Sequence, residues 1–568
     1  MIDLTQKPYY LNEKEINYIE TKRAEMSLTE KIGQLFFVIG QDENMVDIPA
    51  FIQKYQPGGM MYRPDHAEKI SRELKIAQAA SKTPLFTAAN LESGGNGIIT
   101  EGTWVGMPLQ MAATDDPQSA HTLGEIAGYE AHQVGVNMAF APIVDIDLNF
   151  RNPITNTRTF GSDPARVLKM AAAQIEGFKA QQVIPVIKHF PGDGVDERDQ
   201  HLLASVNSLS ADEWMASYGE IYRTLIEADI SSVMVGHILQ PAWERKLSPE
   251  MADREMRPAS CSKRLIDQLL REILGFNGLV ITDATPMIGY NAVLPRDQLL
   301  PETINAGVDM ILFNKNIDED YAIIHQAVQD GRLSVERIDE AVTRILGTKL
   351  AQGLMTIENE GPSLQIPAKP VLKTEAHAKK VAEIAKKSVT LVKDRDQLLP
   401  LTPEKYPRIR LYVLGDSDEG GFKEGGRVTE IFETSLKKMG FEVTLFDQNK
   451  LDFHEIFEEG IADLKEKFDL ALYVANIETA SNQTTTRLNW IQLMAANAPW
   501  FMRSIPTVFV STANPYHLFD IPNVSTFINA YTGNQASIEA ILRKMTDKEA
   551  FEGKSPVDPF CGDFTTKL

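Results

Sequence analysis

Cysteine is nearly absent from this chain: Cys261 and Cys561 are the only two, far apart in sequence. A disulfide framework and a thiolate-built metal site are thereby excluded, and a reducing compartment is permitted. Positive charge is also scarce. Lys and Arg number 57 against 78 Asp and Glu, a formal charge of −21. Nucleic acid and anionic membrane both demand net basic surface, so neither is expected as a partner. No run of ~18 apolar residues occurs, and no membrane-spanning helix is expected. The N-terminus, Met1-Ile2-Asp3-Leu4-Thr5-Gln6-Lys7-Pro8, shows no basic segment leading into an apolar core. A cytoplasmic location is the resulting expectation. Short-period repeats and low-complexity tracts are missing too.

What remains is a globular chain of 568 residues with 43% apolar content, long enough for two or more domains. After a charged helical stretch over 10–32, with Ser27 and Thr29 as helix-start chemistry, eight short apolar runs recur: 35–39, 59–62, 85–88, 138–144, 184–187, 233–235, 279–281 and 310–313. Their continuous rather than alternating character predicts strands buried on both faces, as in a parallel sheet. Amphipathic stretches such as 165–181 and 211–227 lie between them. Eight strand–helix units over ~320 residues predict a (β/α)8 TIM-type barrel rather than an open doubly wound sheet. Asn90, Asp145, His189, His237, Asp283 and Asn314 each close one of the apolar runs. A barrel aims all of them into one mouth, at the C-terminal face where such folds do chemistry.

A helix is expected over 334–350, then a linker rich in proline, glycine and charge. The division expected is a barrel domain over 1–355, a linker over 356–372 and a smaller α/β domain over 373–568. That second domain opens on a helix over 375–387. Its apolar runs at 389–392, 411–414, 443–446, 470–474, 508–510 and 527–528 predict a mainly parallel sheet.

The chemistry concentrates in Lys188-His189-Phe190-Pro191-Gly192-Asp193-Gly194 and the following Asp199-Gln200-His201. Lys188 and His189 end the fifth strand, and Pro191 to Gly194 supply backbone freedom for a mobile loop. The spacing of Asp199 and His201 lets the acid hold one ring nitrogen and leaves the other to exchange a proton. Asp283 ends the seventh strand, where a lone acid is more often a helix cap or turn residue than a reacting group. A carboxylate there and a proton donor after strand five would converge across a barrel mouth. Two other readings compete: His189, Asp193, Asp199 and His201 as metal ligands, and the 415–421 loop as a phosphate cradle, which its three acids disfavour.

Taken together, Lys188 to Gly192, Asp199-Gln200-His201 and Ile281-Thr282-Asp283-Ala284 resemble family-3 glycoside hydrolases, in their β-N-acetylhexosaminidase branch. Residues 135–145, Asn152-Pro153, Arg158-Thr159-Phe160-Gly161 and 305–310 agree, and the two-domain length resembles the Gram-positive type. The resemblance implies a retaining exo-β-N-acetylglucosaminidase acting on cell-wall fragments or small glycosides. Asp283 is then the nucleophile, and His201, oriented by Asp199, the general acid/base. Lys188, His189 and Arg158 match positions that bind sugar hydroxyls and the acetamido side of the ring. No metal or other cofactor is implied, and a small carbohydrate is the implied partner; oligomeric state is not legible.

Two departures stand out. Asn90 occupies the place of a sugar-binding aspartate, with one extra residue nearby and the following arginine absent. Asp193 replaces the usual histidine, giving a Gly-Asp-Gly similar to the β-glucosidase branch. The alternatives are accordingly a β-glucosidase, a phosphorolytic β-glycosidase or a non-catalytic sugar-binding relative.

Overall fold

A computed structural model describes all residues but 1, 42–44, 359–365, 417–426, 452, 479, 485–486 and 548. Much of the expected linker and most of the 415–421 loop therefore lie outside the described residues. The chain resolves into two compact units, Met1–Val105 with Ala120–Asn152 and Pro164–His377, and Gly106–Ser119 with Pro153–Asp163 and Ala378–Leu568. Two short excursions from the first half thus belong to the second unit, and no shift in composition marks them.

The first unit is built on eight parallel strands: β1 Phe36–Ile39, β2 Gly59–Met61, β3 Phe86–Ala89, β4 Met138–Ala139, β5 Ile184–Phe190, β6 Ser232–Val235, β7 Leu279–Thr282 and β8 Ile311–Leu312. They pair in the order β8-β1-β2-β3-β4-β5-β6-β7. The ring closes where Ile281 of β7 bridges Met310, with the Met310 N–H donating to the Val280 carbonyl at 3.1 Å. Each of the eight expected runs supplies one strand. Nearly every strand residue is buried, which is why the runs are apolar without alternation. Phe37 packs on Phe86 and Phe140 with ring centroids 6.1 and 5.6 Å away, each ring contributing roughly 1.5–3 kcal/mol by burial.

Helices follow the strands, and their ends obey local chemistry. Ser27 caps Leu28–Gln34 in a reciprocal box with Glu30, and Ser334 caps Val335–Ala351 by accepting from the Arg337 N–H. The 165–181 stretch is a helix over Pro164–Lys179, whereas 211–227 is interrupted by a π-helical turn at Met215–Gly219. Among the described residues no helix is long and apolar enough to cross a membrane.

The second unit holds a six-stranded sheet of β9 Thr390–Asp394, β10 Arg408–Leu414, β11 Glu442–Leu445, β12 Leu470–Ala475, β13 Thr507–Ser511 and β14 Thr526–Asn529. The order is β9-β14-β13-β12-β10-β11, and every pairing is parallel except β9 with β14. Tyr412, Tyr473, Phe509 and Phe527 stand opposite one another on four neighbouring strands, with centroids 4.3, 5.9 and 5.3 Å apart and rings within 7° of parallel.

Candidate active site

Strand β5 carries two of the expected groups at its end, and its neighbour supplies their partner. Past β4 the chain keeps following β5: Ile143 bridges Lys188, and the Val144 N–H donates to the Lys188 carbonyl at 2.7 Å. This brings Asp145 beside His189. Its Oδ1 accepts the backbone N–H groups of His189 and Asp193 at 3.1 and 2.8 Å, and its Oδ2 lies 2.7 Å from His189 Nδ1. A carboxylate can only accept there, so Nδ1 carries the proton and Nε2 is left toward the mouth. That nitrogen stands 3.8 Å from Asp283 Oδ2.

Asp283 leaves β7 with its N–H donating to the Val235 carbonyl of β6 at 2.8 Å, while its Oδ1 accepts the Ala284 N–H at 2.7 Å. Burial pushes its carboxyl upward, but His189, then His237 and His201, outweigh it and hold the group down at about 2. His237, at the end of β6, places Nε2 3.0 Å from the Ala284 carbonyl and Nδ1 2.9 Å from Ser260 Oγ. The carbonyl fixes the proton on Nε2, and burial pushes the imidazole down to about 4, so it is neutral near pH 7.

His201 reaches the same carboxylate electrostatically from the loop after β5. Asp199 Oδ1 accepts its backbone N–H at 2.8 Å and lies 2.7 Å from its Nδ1. The Asp199 side chain is wholly buried and the His201 side chain 24% exposed, so the imidazole is anchored on one side and open on the other. Pro191 to Gly194 do not act as a loose hinge. Trp214 Nε1 donates to the Pro191 carbonyl at 2.7 Å, Asn207 Nδ2 to that of Gly192 at 3.0 Å, and Tyr218 Oη to that of Asp193 at 2.6 Å. Gly192 is needed for a φ of +114° and because a Cβ would stand 2.1 Å from the Tyr218 ring.

Asp193 itself is fully enclosed. It accepts from Asn152 Nδ2, the Gly194 N–H and Gln200 Nε2 at 3.1, 2.7 and 3.2 Å. Burial first, and then the charge of Asp145, push its carboxyl up to about 7.

Lys188 binds Glu92 Oε1 at 2.6 Å and Asn90 Oδ1 at 3.4 Å. The segment after β3, which departs from the family pattern, is therefore tied to β5 by a nearly buried ion pair. Arg158 ends the 3-10 turn Asn156–Arg158 within Pro153–Asp163, a segment of the second unit, and its Nη1 donates to the Ile154 carbonyl at 3.4 Å.

The structure brings Asp283, His201, Asp199, Lys188, His189 and Asn90 together at the strand ends of the first unit. Asp145, His237 and Glu92 were not among the expected site residues. The polar ends of the strand runs mark the first two, and Glu92 lies two residues past Asn90. Among the described residues no group of three or more His, Cys, Asp or Glu is arranged to hold a metal ion.

Known proteins resemble the chain in sequence and in fold. Residues 27–348 match the pattern described as the glycosyl hydrolase family 3 N terminal domain. A Beta-N-acetylglucosaminidase/beta-glucosidase of Cellulomonas fimi is 44% identical over 571 residues, covering 100% of both chains. Among solved structures, Beta-glucoside phosphorylase BglX superposes with a TM-score of 0.91 at 43% identity over 99% of both chains. A family 3 beta-N-acetylglucosaminidase from Paenibacillus sp. str. FPU-7 shares the fold, with a TM-score of 0.78 at 23% identity, over 94% of this chain and 99% of the other. With more than half of the chain inside one family pattern and a relative matched from end to end, this protein is an enzyme of glycosyl hydrolase family 3.

Proposed function

We propose that the chain is a retaining exo-β-glycosidase that removes terminal β-linked N-acetylglucosamine from cell-wall fragments or small glycosides. The observation that carries this reading is the buried Asp283 carboxylate, held down at about 2 and facing His189 at 3.8 Å, within electrostatic reach of the His201–Asp199 pair. Asp283 attacks the anomeric carbon while His201 Nε2–H donates its proton to the departing oxygen, leaving a glycosyl ester on Asp283. The same nitrogen then takes a proton from the incoming acceptor, which displaces the ester and restores the configuration. Asp199 keeps the His201 proton on the correct nitrogen and steadies the imidazolium. Lys188, held by Glu92, presents a fixed donor to sugar hydroxyls, and His189, held by Asp145, presents its Nε2 to them. The cytoplasm is part of this reading, which rests on the scarcity of cysteine, with Cys261 and Cys561 far apart in sequence.

A second reading concerns sugar and acceptor. An imidazole is uncharged when it acts as base, so it repels phosphate less than a carboxylate would. The 43% identical structure is called a beta-glucoside phosphorylase. Aryl N-acetyl-β-glucosaminide and aryl β-glucoside, each with and without inorganic phosphate, separate the cases by product: free sugar for hydrolysis, sugar 1-phosphate for phosphorolysis. Folded protein that turns over neither substrate under either condition would sink the reading.

A further inference from the structure

Gln200 stands between Asp199 and His201, and it is fully buried. Its amide spans two elements. The His237 N–H can only donate, so Oε1 faces it, at 2.9 Å; Nε2 then faces Asp193 Oδ2, at 3.2 Å. Both partners lead to Asp283. The His237 ring holds the Ala284 carbonyl at 3.0 Å, one residue past Asp283. The Asp193 N–H donates to Asp145, which holds His189 3.8 Å from the Asp283 carboxylate. The backbone is seated as closely as the side chain. The Gln200 carbonyl lies 2.2 Å from where a Cβ on Gly289 would stand, and the neighbouring Ile288 N–H donates to the His201 carbonyl at 3.0 Å.

We propose that Gln200 is a positioning residue: its side-chain amide fixes the span between the His201 imidazole and the Asp283 carboxylate by tying the loop to both paths that end at Asp283. The inference rests on the roles read for those two residues above. A loop tied only by Asp199 would orient the ring of His201 without setting its distance from the opposite carboxylate. Gln200 sets that distance, because its two hydrogen bonds reach the ends of β5 and β6 at once. Proton delivery to a leaving group depends steeply on such placement.

Gln200→Met keeps the length of the side chain and removes both hydrogen bonds. On glycosides with poor, unactivated leaving groups, kcat/KM should fall about tenfold or more, and on 2,4-dinitrophenyl glycosides only about twofold, since the latter need no proton. A purely structural role would lower both alike. Hydrogen exchange in the folded variant should quicken about tenfold for amides of residues 199–203, with the barrel strands unchanged. Equal losses on the two leaving groups, or unchanged exchange at 199–203, would overturn the proposal. Wild-type protein inactive on every glycoside would instead refute the proposed function; exchange needs no turnover and judges Gln200 by itself.

Discussion

Replacing Asp193 by asparagine should change how the stability of the barrel depends on pH. Burial and the neighbouring Asp145 raise this carboxyl from 3.8 to about 7 in the folded chain. In the unfolded chain it loses its proton near its ordinary value. Between the two, the native state binds the extra proton, so stability falls as pH rises. The contribution is fully present below about pH 4 and is lost as pH passes the folded value near 7. About three pH units at 1.36 kcal/mol each amount to about 4 kcal/mol. Asp283 works in the opposite sense at the acid end: held at about 2, its contribution is present above 3.8 and lost as pH falls toward 2. Measurement between about pH 4.5 and 8 keeps clear of it and leaves about 3 kcal/mol to observe for Asp193. Urea unfolding followed by tryptophan fluorescence suits the purpose, because buried Trp214 donates to the Pro191 carbonyl at 2.7 Å, two residues from Asp193. Wild type should lose about 3 kcal/mol relative to Asp193→Asn over that range. Parallel stability curves would refute the assignment of a proton to Asp193 in the folded protein.

Three further outcomes follow from the same geometry. His201→Ala should cost roughly 10²–10⁴-fold on poor leaving groups and far less on activated aryl glycosides, read from kcat/KM; equal losses would contradict its role as proton donor. His189→Gln removes the imidazole that does most to hold Asp283 down, so the acid limb of the pH–rate profile should move to higher pH, and an unmoved limb would argue against that coupling. Lys188→Met removes the 2.6 Å partner of Glu92, whose side chain is 14% exposed, which should destabilise the protein by about 1–3 kcal/mol in thermal or urea unfolding. Adding Glu92→Gln should recover much of that loss.

The barrel was legible because its strands are buried on both faces, and burial writes itself as uninterrupted runs such as Leu279-Val280-Ile281. Helix-start chemistry was legible because it is local: Ser27 caps its helix through contacts with Glu30, three residues on. What needs contact across the fold was not. Met138 to Val144 reads as one strand, yet only Met138–Ala139 pairs regularly, and the rest bends along β5 to deliver Asp145. The glycines at 192 and 194 read as a hinge. Their neighbours Trp214, Asn207 and Tyr218, which hold that segment, come from further along the chain. The antiparallel pairing of β9 and the joining of 106–119 and 153–163 to the second unit leave no trace in composition.

The file of rings in the second sheet bears on how that sheet finds its alignment. Parallel strands made of apolar residues on both faces carry little information about register, since a slip by two positions returns every side chain to its own face. Here the slip is not neutral. Tyr473 is flanked on its face by Ala471 and Ala475, which pair with Arg410 and Leu414 while Tyr473 meets Tyr412. On the other side those alanines meet Thr507 and Ser511 while Tyr473 meets Phe509. Shifted by two, Tyr412 would lie over an alanine and leave a ring-sized hole in the layer. The aromatic file thus acts as a vernier: one ring per strand, and a single alignment at which all four marks coincide.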